Sequence, residues 1–369
     1  AACYPLLGAA YLAKGDSAKA VSVYRRFMEL VPSDARGPYL LGLTLWQEKQ
    51  PAEARKLFEK PLALDFSLIG PLAQLAKMDV ADKKTDAALQ RVRNHLEKVP
   101  GNAEAHYLLG KVHLAREELE EAEASFRHAL RIDSNDAKTH NNQGIVLQEL
   151  GRLNEADAHF QLALQIDPDN ARTLSNRGNL LRHMGRLEEA ELCYQKSLEL
   201  AQDDLNTLNG LGMILQDLGR FEQAEACYRR ILELKPDNAG VMSNLGMALL
   251  NLGRSDESEV CFRQALQIKP DHALLHSNLL YFLTLSAKLD GKALFAEHVG
   301  FGQRFESPLR NDWPKHTQIR NPEKSLKIGF VSPDLYNHAV ASFIEPVLLS
   351  SEGAIRDGDS VLFFNYRSD

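Results

Sequence analysis

The chain has 369 residues, a quarter of them charged, and a formal net charge of -7. That balance excludes a basic stripe for nucleic acid or anionic lipid and leaves protein as the expected partner class. No apolar run approaches the ~18 residues of a membrane span, and no charged start with an apolar core reads as a signal peptide.

From the first residues onward, a glycine recurs every 34 positions at Gly8, Gly42, Gly110, Gly144, Gly178, Gly212 and Gly246, with Ala76 in the one gap. An alanine follows twelve residues later at Ala20, Ala54, Ala88, Ala122, Ala156, Ala190 and Ala224, then Ser258. Two small residues at fixed offsets, one per helix, let paired helices approach closely. Four beyond the alanine stands a large ring (Tyr24, Phe58, Phe126, Phe160, Tyr194, Tyr228, Phe262), placed to wedge between the helices of a hairpin. Pro32, Pro100, Pro168, Pro236 and Pro270 stop second helices.

This frame resembles the tetratricopeptide repeat, which implies an α-solenoid wound as a superhelix. Eight frames begin at Ala1, Ala35, Ile69, Ala103, Ala137, Ala171, Leu205 and Ala239, filling 1–272. A ninth at Ala273 decays, since Leu280 and Lys292 replace its Gly and Ala, and 273–306 reads as a helical coda covering the apolar end of the array. With no initiating Met and a start at the first repeat position, the chain is expected to be a piece of a longer protein. Cys193, Cys227 and Cys261 fall one repeat apart, too far for a disulfide, so they are expected to be reduced and the protein cytoplasmic. No CxxC or Cys/His cluster points to a metal. Glu120, Glu121, Glu188 and Glu189 read as solvated outer faces.

Beyond a proline-punctuated linker, 307–325, the period changes. Leu326 to Ser332 and Ser360 to Tyr366 are β-type runs flanking a loop and an apolar helical stretch, so 326–369 is expected to form one βαβ unit of a parallel α/β sheet. Ligands of such sheets lie beyond the carboxyl ends of strands, here the loop Ser332 to His338, which lacks GxGxxG.

The stretch KIGFVSPDLYNHAVASFIEPVL, following a repeat array and the coda beginning HSNLLYFL, resembles the start of the catalytic region in the protein O-GlcNAc transferase and SPINDLY family (glycosyltransferase family 41). The Ser332-Pro333-Asp334 spelling is closer to the SPINDLY-like branch. The resemblance implies a Rossmann-like GT-B N-lobe, truncated after its first unit, and a protein O-glycosyltransferase moving GlcNAc from UDP-GlcNAc, or fucose from GDP-fucose, to Ser or Thr. It implies that the nucleotide sugar is held mainly by a lobe beyond Asp369, that the piece alone is inactive, and that no cofactor is needed. His338 matches the family's active-site histidine, and a neutral-range imidazole suits proton transfer or a hydrogen bond to donor or acceptor.

The family also implies a ladder of asparagines gripping the acceptor polypeptide in the inner groove. The matching position, two before the repeat glycine, holds Asn142, Asn176, Gly210, Asn244 and Asn278, with Asn209 one place off at the broken rung. A carboxamide offers a donor and an acceptor, so it can pair with any peptide unit. The competing reading is a noncatalytic tetratricopeptide scaffold for protein–protein interaction.

Overall fold

The computed structural model describes residues 3–65, 68–286 and 288–308. The described residues hold eighteen α-helices, most of them in antiparallel pairs, and no strand. In chain order these are α1 (Tyr4–Ala13) with α2 (Ser17–Leu30), α3 (Arg36–Gln47) with α4 (Pro51–Leu64), α5 (Ile69–Ala81) with α6 (Thr85–Lys98), and α7 (Ala103–Ala115) with α8 (Leu119–Ile132). Then follow α9 (Ala137–Glu149) with α10 (Leu153–Ile166), α11 (Ala171–His183) with α12 (Leu187–Leu200), α13 (Leu205–Asp217) with α14 (Phe221–Leu234), and α15 (Ala239–Asn251) with α16 (Ser255–Ile268). The last two are α17 (Ala273–Ser286) and α18 (Gly291–Phe301), which runs into a π-type turn at Gly302–Glu306. The fold is the helical solenoid expected from the repeat. The β-type runs and the whole 326–369 segment lie outside the described residues.

The chain divides into two units, one ending at Ile231 and one starting at Leu232. In both, the repeat hairpins close on the same contact, with one exception at α5–α6. A Cβ placed on Gly110 would stand 2.6 Å from the ring of Phe126, on Gly144 2.8 Å from Phe160, on Gly178 2.8 Å from Tyr194, and on Gly246 3.0 Å from Phe262. Each ring therefore lies flat on the bare backbone of the opposing helix, and Phe126, Phe160, Tyr194 and Phe262 are fully buried. Burying such a side chain contributes roughly 1.5–3 kcal/mol each. The gap in the series obeys the same volume rule: where Ala76 adds a methyl, the ring position holds Val92, and both are buried. Likewise Ser258 replaces the small alanine, and its hydroxyl donates to the Gly246 carbonyl at 2.7 Å.

Turns repeat as faithfully as the core. Between the helices of a hairpin the chain passes through the left-handed region at Gly15, Gly151, Gly185, Gly219 and Gly253, with φ of 73–76°. Lys49, Lys83 and Glu117 hold the same place with φ of 59–62°, a strain of roughly 1–2 kcal/mol each for a residue with a Cβ. First helices are capped by Asn102, Asp136, Asn170, Asp204 and Asn238, whose side chains accept from N–H groups of the first turn. From α10 onward, the second helices of the repeats start after an arginine. Arg152 holds Glu155 in its own helix (2.6 Å) and Glu123 on α8 (3.0 Å); Arg186 likewise holds Glu189 (2.7 Å) and Asp157 on α10 (3.0 Å). Burial alone would raise the Asp157 carboxyl, but Arg177 and Arg186 outweigh it and hold it below its ordinary value. Glu120, Glu121 and Glu188 are exposed as expected.

In the second unit, Leu279, Phe282 and Leu283 of α17 pack on Phe262, with the two phenyl rings 5.7 Å apart. The covering of the α15–α16 hairpin is thus the work of α17. Helix α18 buries no residue completely and leaves Phe295 70% exposed.

Two histidine pairs sit inside hairpins of the first unit. His106 packs on His128, with ring centroids 4.1 Å apart, and His140 on His159, with their Nδ1 atoms 3.0 Å apart. Burial, then the charge of His140, lowers the His159 pKa; Glu155 and Glu123 oppose this and Arg152 adds to it. Burial, then His128, lowers that of His106 against a hydrogen bond to the Pro100 carbonyl.

Gly144→Ala should therefore destabilise the chain by about 1–3 kcal/mol in urea unfolding, although alanine is the better helix former. Phe160→Val in the same chain should cost less than the sum of the two single changes, since the pair then reproduces Ala76 and Val92. Gly240→Ala, on α15, has only its own cap oxygen within 4 Å and should be neutral or stabilising. A group whose folded pKa is depressed binds protons more weakly folded than unfolded, so stability falls as pH drops below the ordinary histidine value. Urea midpoints measured from pH 7 down to pH 5 should fall, and less steeply in His159→Gln.

Candidate functional site: an amide-lined groove

In the first unit, the first helices of four consecutive hairpins enclose a groove of about 880 Å³. Its wall comprises Tyr107 and Lys111 of α7; Asn141, Asn142 and Ile145 of α9; Arg172, Ser175, Asn176, Asn179 and Arg182 of α11; and Asn206, Asn209 and Met213 of α13. The 3.6-residue period explains the membership. The Gly turns inward to the wedge ring and the residue two before it emerges on the opposite edge of the helix, while the residue three before it, such as Asn141 or Ser175, is largely buried and reaches the groove wall from beside it.

Asn142 and Asn176 both line the groove and are half-buried. The Asn142 Nδ2 donates to the Tyr107 hydroxyl at 3.1 Å and to the Lys138 carbonyl at 2.9 Å. The Asn176 Nδ2 donates to Asn141 Oδ1 at 2.9 Å. In the second unit, the Asn278 Nδ2 donates to Ser243 Oγ at 3.0 Å, and Asn244 is half-buried on α15. Asn142, Asn176 and Asn278 thus each lean on the residue 35 positions earlier, so a donor of the amide ties one repeat to the next. The carbonyl half of Asn142 and Asn176 receives no hydrogen bond among the described residues. Asn142 thus has both its N–H groups engaged and keeps Oδ1 to offer, whereas Asn176 keeps one N–H as well as Oδ1.

The broken rung has a steric cause. A Cβ at Gly210 would lie 2.6 Å from Cζ and 2.7 Å from the hydroxyl oxygen of Tyr194. That hydroxyl donates to Asn179 Oδ1 at 2.6 Å, which fixes the ring, and burial pushes the phenol up to about 12. Only glycine fits under it, and Asn209 supplies the amide to the groove one place earlier. Asn141, Asn179, Asn206 and Tyr107 were missed by the sequence reading. The signal for Asn141 and Tyr107 is a second column, one place before the rung and 35 residues from its partner.

Other predicted features fall elsewhere. His338 lies outside the described residues. Among those described, no three His, Cys, Asp or Glu are grouped so as to hold a metal ion, and no helix is long and apolar enough to cross a membrane. The cysteines form no disulfide, and burial raises the Cys193 and Cys227 thiols.

Family models described as tetratricopeptide repeat match residues 6–65, 79–141, 135–203 and 203–271, more than half of the chain. The chain belongs to the tetratricopeptide-repeat family. Among solved structures, this repeat protein is similar to the APC/C hetero-tetramer Cut9–Hcn1, with a TM-score of 0.55 and 15% identity over 84% of this chain and 75% of that one. That likeness concerns the fold alone. It is also similar to YrrB, described as a tetratricopeptide-repeat protein with an unusual peptide-binding site (TM-score 0.43, 23% identity, 50% of this chain and 95% of that chain). A thermophilic tetratricopeptide-repeat protein in Thermus thermophilus gives a TM-score of 0.44 and 25% identity over 50% of this chain and all of that one. No match was found among curated proteins.

Proposed function

We propose that the repeats form a protein-interaction scaffold and that the groove of the first unit holds an extended polypeptide. The observation that carries this reading is the pair of amides Asn142 and Asn176, each anchored through Nδ2 to the preceding repeat with Oδ1 left to accept. An acceptor held in place by its own structure has little rotamer entropy left to lose, and a row of such acceptors suits the N–H groups of an extended chain whatever its side chains. YrrB, another tetratricopeptide-repeat protein, is described as having a peptide-binding site, which supports the class of ligand.

A second reading keeps the scaffold and adds chemistry. The VSPD…NH segment ending at His338 favours a protein O-glycosyltransferase in which these repeats select the acceptor and a nucleotide sugar, UDP-GlcNAc or GDP-fucose, is the donor. In that reading position and fixed hydrogen-bond donors do most of the work, as the departing nucleotide diphosphate gains charge. Transfer of labelled sugar to an acceptor protein by the complete reading frame, lost in His338→Ala, would support it; equal labelling by both would remove it.

The scaffold itself is tested by peptides selected by display against the full chain. Asn142→Ala with Asn176→Ala should weaken their binding about tenfold or more, a loss of ~1.4 kcal/mol, while the helical circular dichroism is kept. Unchanged affinity would show that the ligand lies elsewhere.

A further inference from the structure

The cations Lys111 and Arg172 of the groove differ from the arginines that join successive hairpins. Arg152, Arg177, Arg186 and Arg220 each contact a carboxylate on the second helix of the preceding hairpin. Lys111 and Arg172, which line the groove, and Lys77, one repeat before Lys111 and at the same position, form no ion pair among the described residues. They crowd one another instead. Partial desolvation in the groove, followed by the charges of Lys77 and Arg172, holds the Lys111 ammonium below its ordinary value, and only Glu104 opposes this. Burial and then Asp136 in turn push the Glu104 carboxyl upward. The carboxylate lining the groove, Asp204, accepts from the Thr207 N–H at 2.8 Å and the Thr207 hydroxyl at 2.6 Å as the cap of α13.

A cluster of like charges within a groove, in a chain of net charge -7, is a cost unless a ligand offsets it. We infer that the groove selects an acidic polypeptide segment, with Lys111 and Arg172 meeting its carboxylates while Asn142 and Asn176 accept from its backbone. This inference rests on the polypeptide reading above and adds the ligand's charge. Single-stranded nucleic acid fits less well, because such sites combine a longer basic track with several stacking rings, and Tyr107 is the one aromatic in the wall. A negative segment would also be steered toward this region of an otherwise acidic protein, which raises its association rate at low salt.

The test uses the full chain and three labelled peptides of equal length, repeats of Glu-Ala-Gly, Gln-Ala-Gly and Lys-Ala-Gly, in fluorescence anisotropy. The glutamate peptide should bind about tenfold or more tightly than the glutamine peptide, and the lysine peptide least. Raising the salt should narrow the gap, and Lys111→Glu with Arg172→Glu should reverse the order. These exposed positions tolerate substitution, and Lys111→Gln with Arg172→Gln, which should equalise the glutamate and glutamine peptides, removes the charges without adding new ones. If glutamate and glutamine peptides bind alike and both depend on Asn142 and Asn176, the acidic preference is wrong and the polypeptide groove survives. If none of the peptides binds, both readings fail. Tighter binding of a labelled oligothymidylate than of the glutamate peptide would overturn the assignment to polypeptide.

Discussion

Seven of the eight repeat hairpins depend on a ring packed against bare backbone. Glycine allows the approach because a Cβ in its place would stand only 2.6–3.0 Å from the rings of Phe126, Phe160, Tyr194 and Phe262. The contact is a volume constraint on a pair of positions, and it is met in two ways. Seven hairpins pair a glycine with an aromatic ring, while Ala76 with Val92 moves the bulk from one partner to the other. Since cores are packed to crystal-like density, either solution works and a mixture does not.

Fixing the hairpin also fixes what its outer edges present. Once the glycine edge of a first helix is committed to the ring, the residue two before it must emerge on the other side. In the first unit, four successive helices then line one groove with amides. The same packing explains the interruption: Tyr194, held by Asn179, occupies the space that a rung at Gly210 would need. Asn209 restores the amide from the neighbouring position. Where hairpins join, arginines sit against carboxylates, as Arg186 does between Asp157 and Glu189, whereas in the groove Lys111 and Arg172 form no ion pair among the described residues. Structure and possible function thus separate by face, with paired charge where repeats join and unpaired charge and open acceptors where a ligand can lie.

The repeat was legible because its constraint recurs at a fixed step, and the position of Asn142 and Asn176 on an exposed helix edge followed from the same step. Partnership was not legible. A column of asparagines says which face the amides occupy, but not that Nδ2 of each is already taken by Tyr107 or Asn141 from the preceding repeat. Gly210 read as a missing rung until the ring of Tyr194 gave its reason, and Val92 was passed over because a search for rings does not see a compensating pair. The cluster of Lys77, Lys111 and Arg172 was hidden by a net charge that averages over the chain.

The central claim, that the amide-lined groove of the first unit is where a polypeptide lies, is tested most directly by placing a photo-crosslinking benzoylphenylalanine at Ile145, in the groove wall, and separately at the exposed Leu162 on α10. With a peptide selected against the full chain, crosslinks should form from position 145 and not from 162. Crosslinks from 162 with none from 145 would contradict the account.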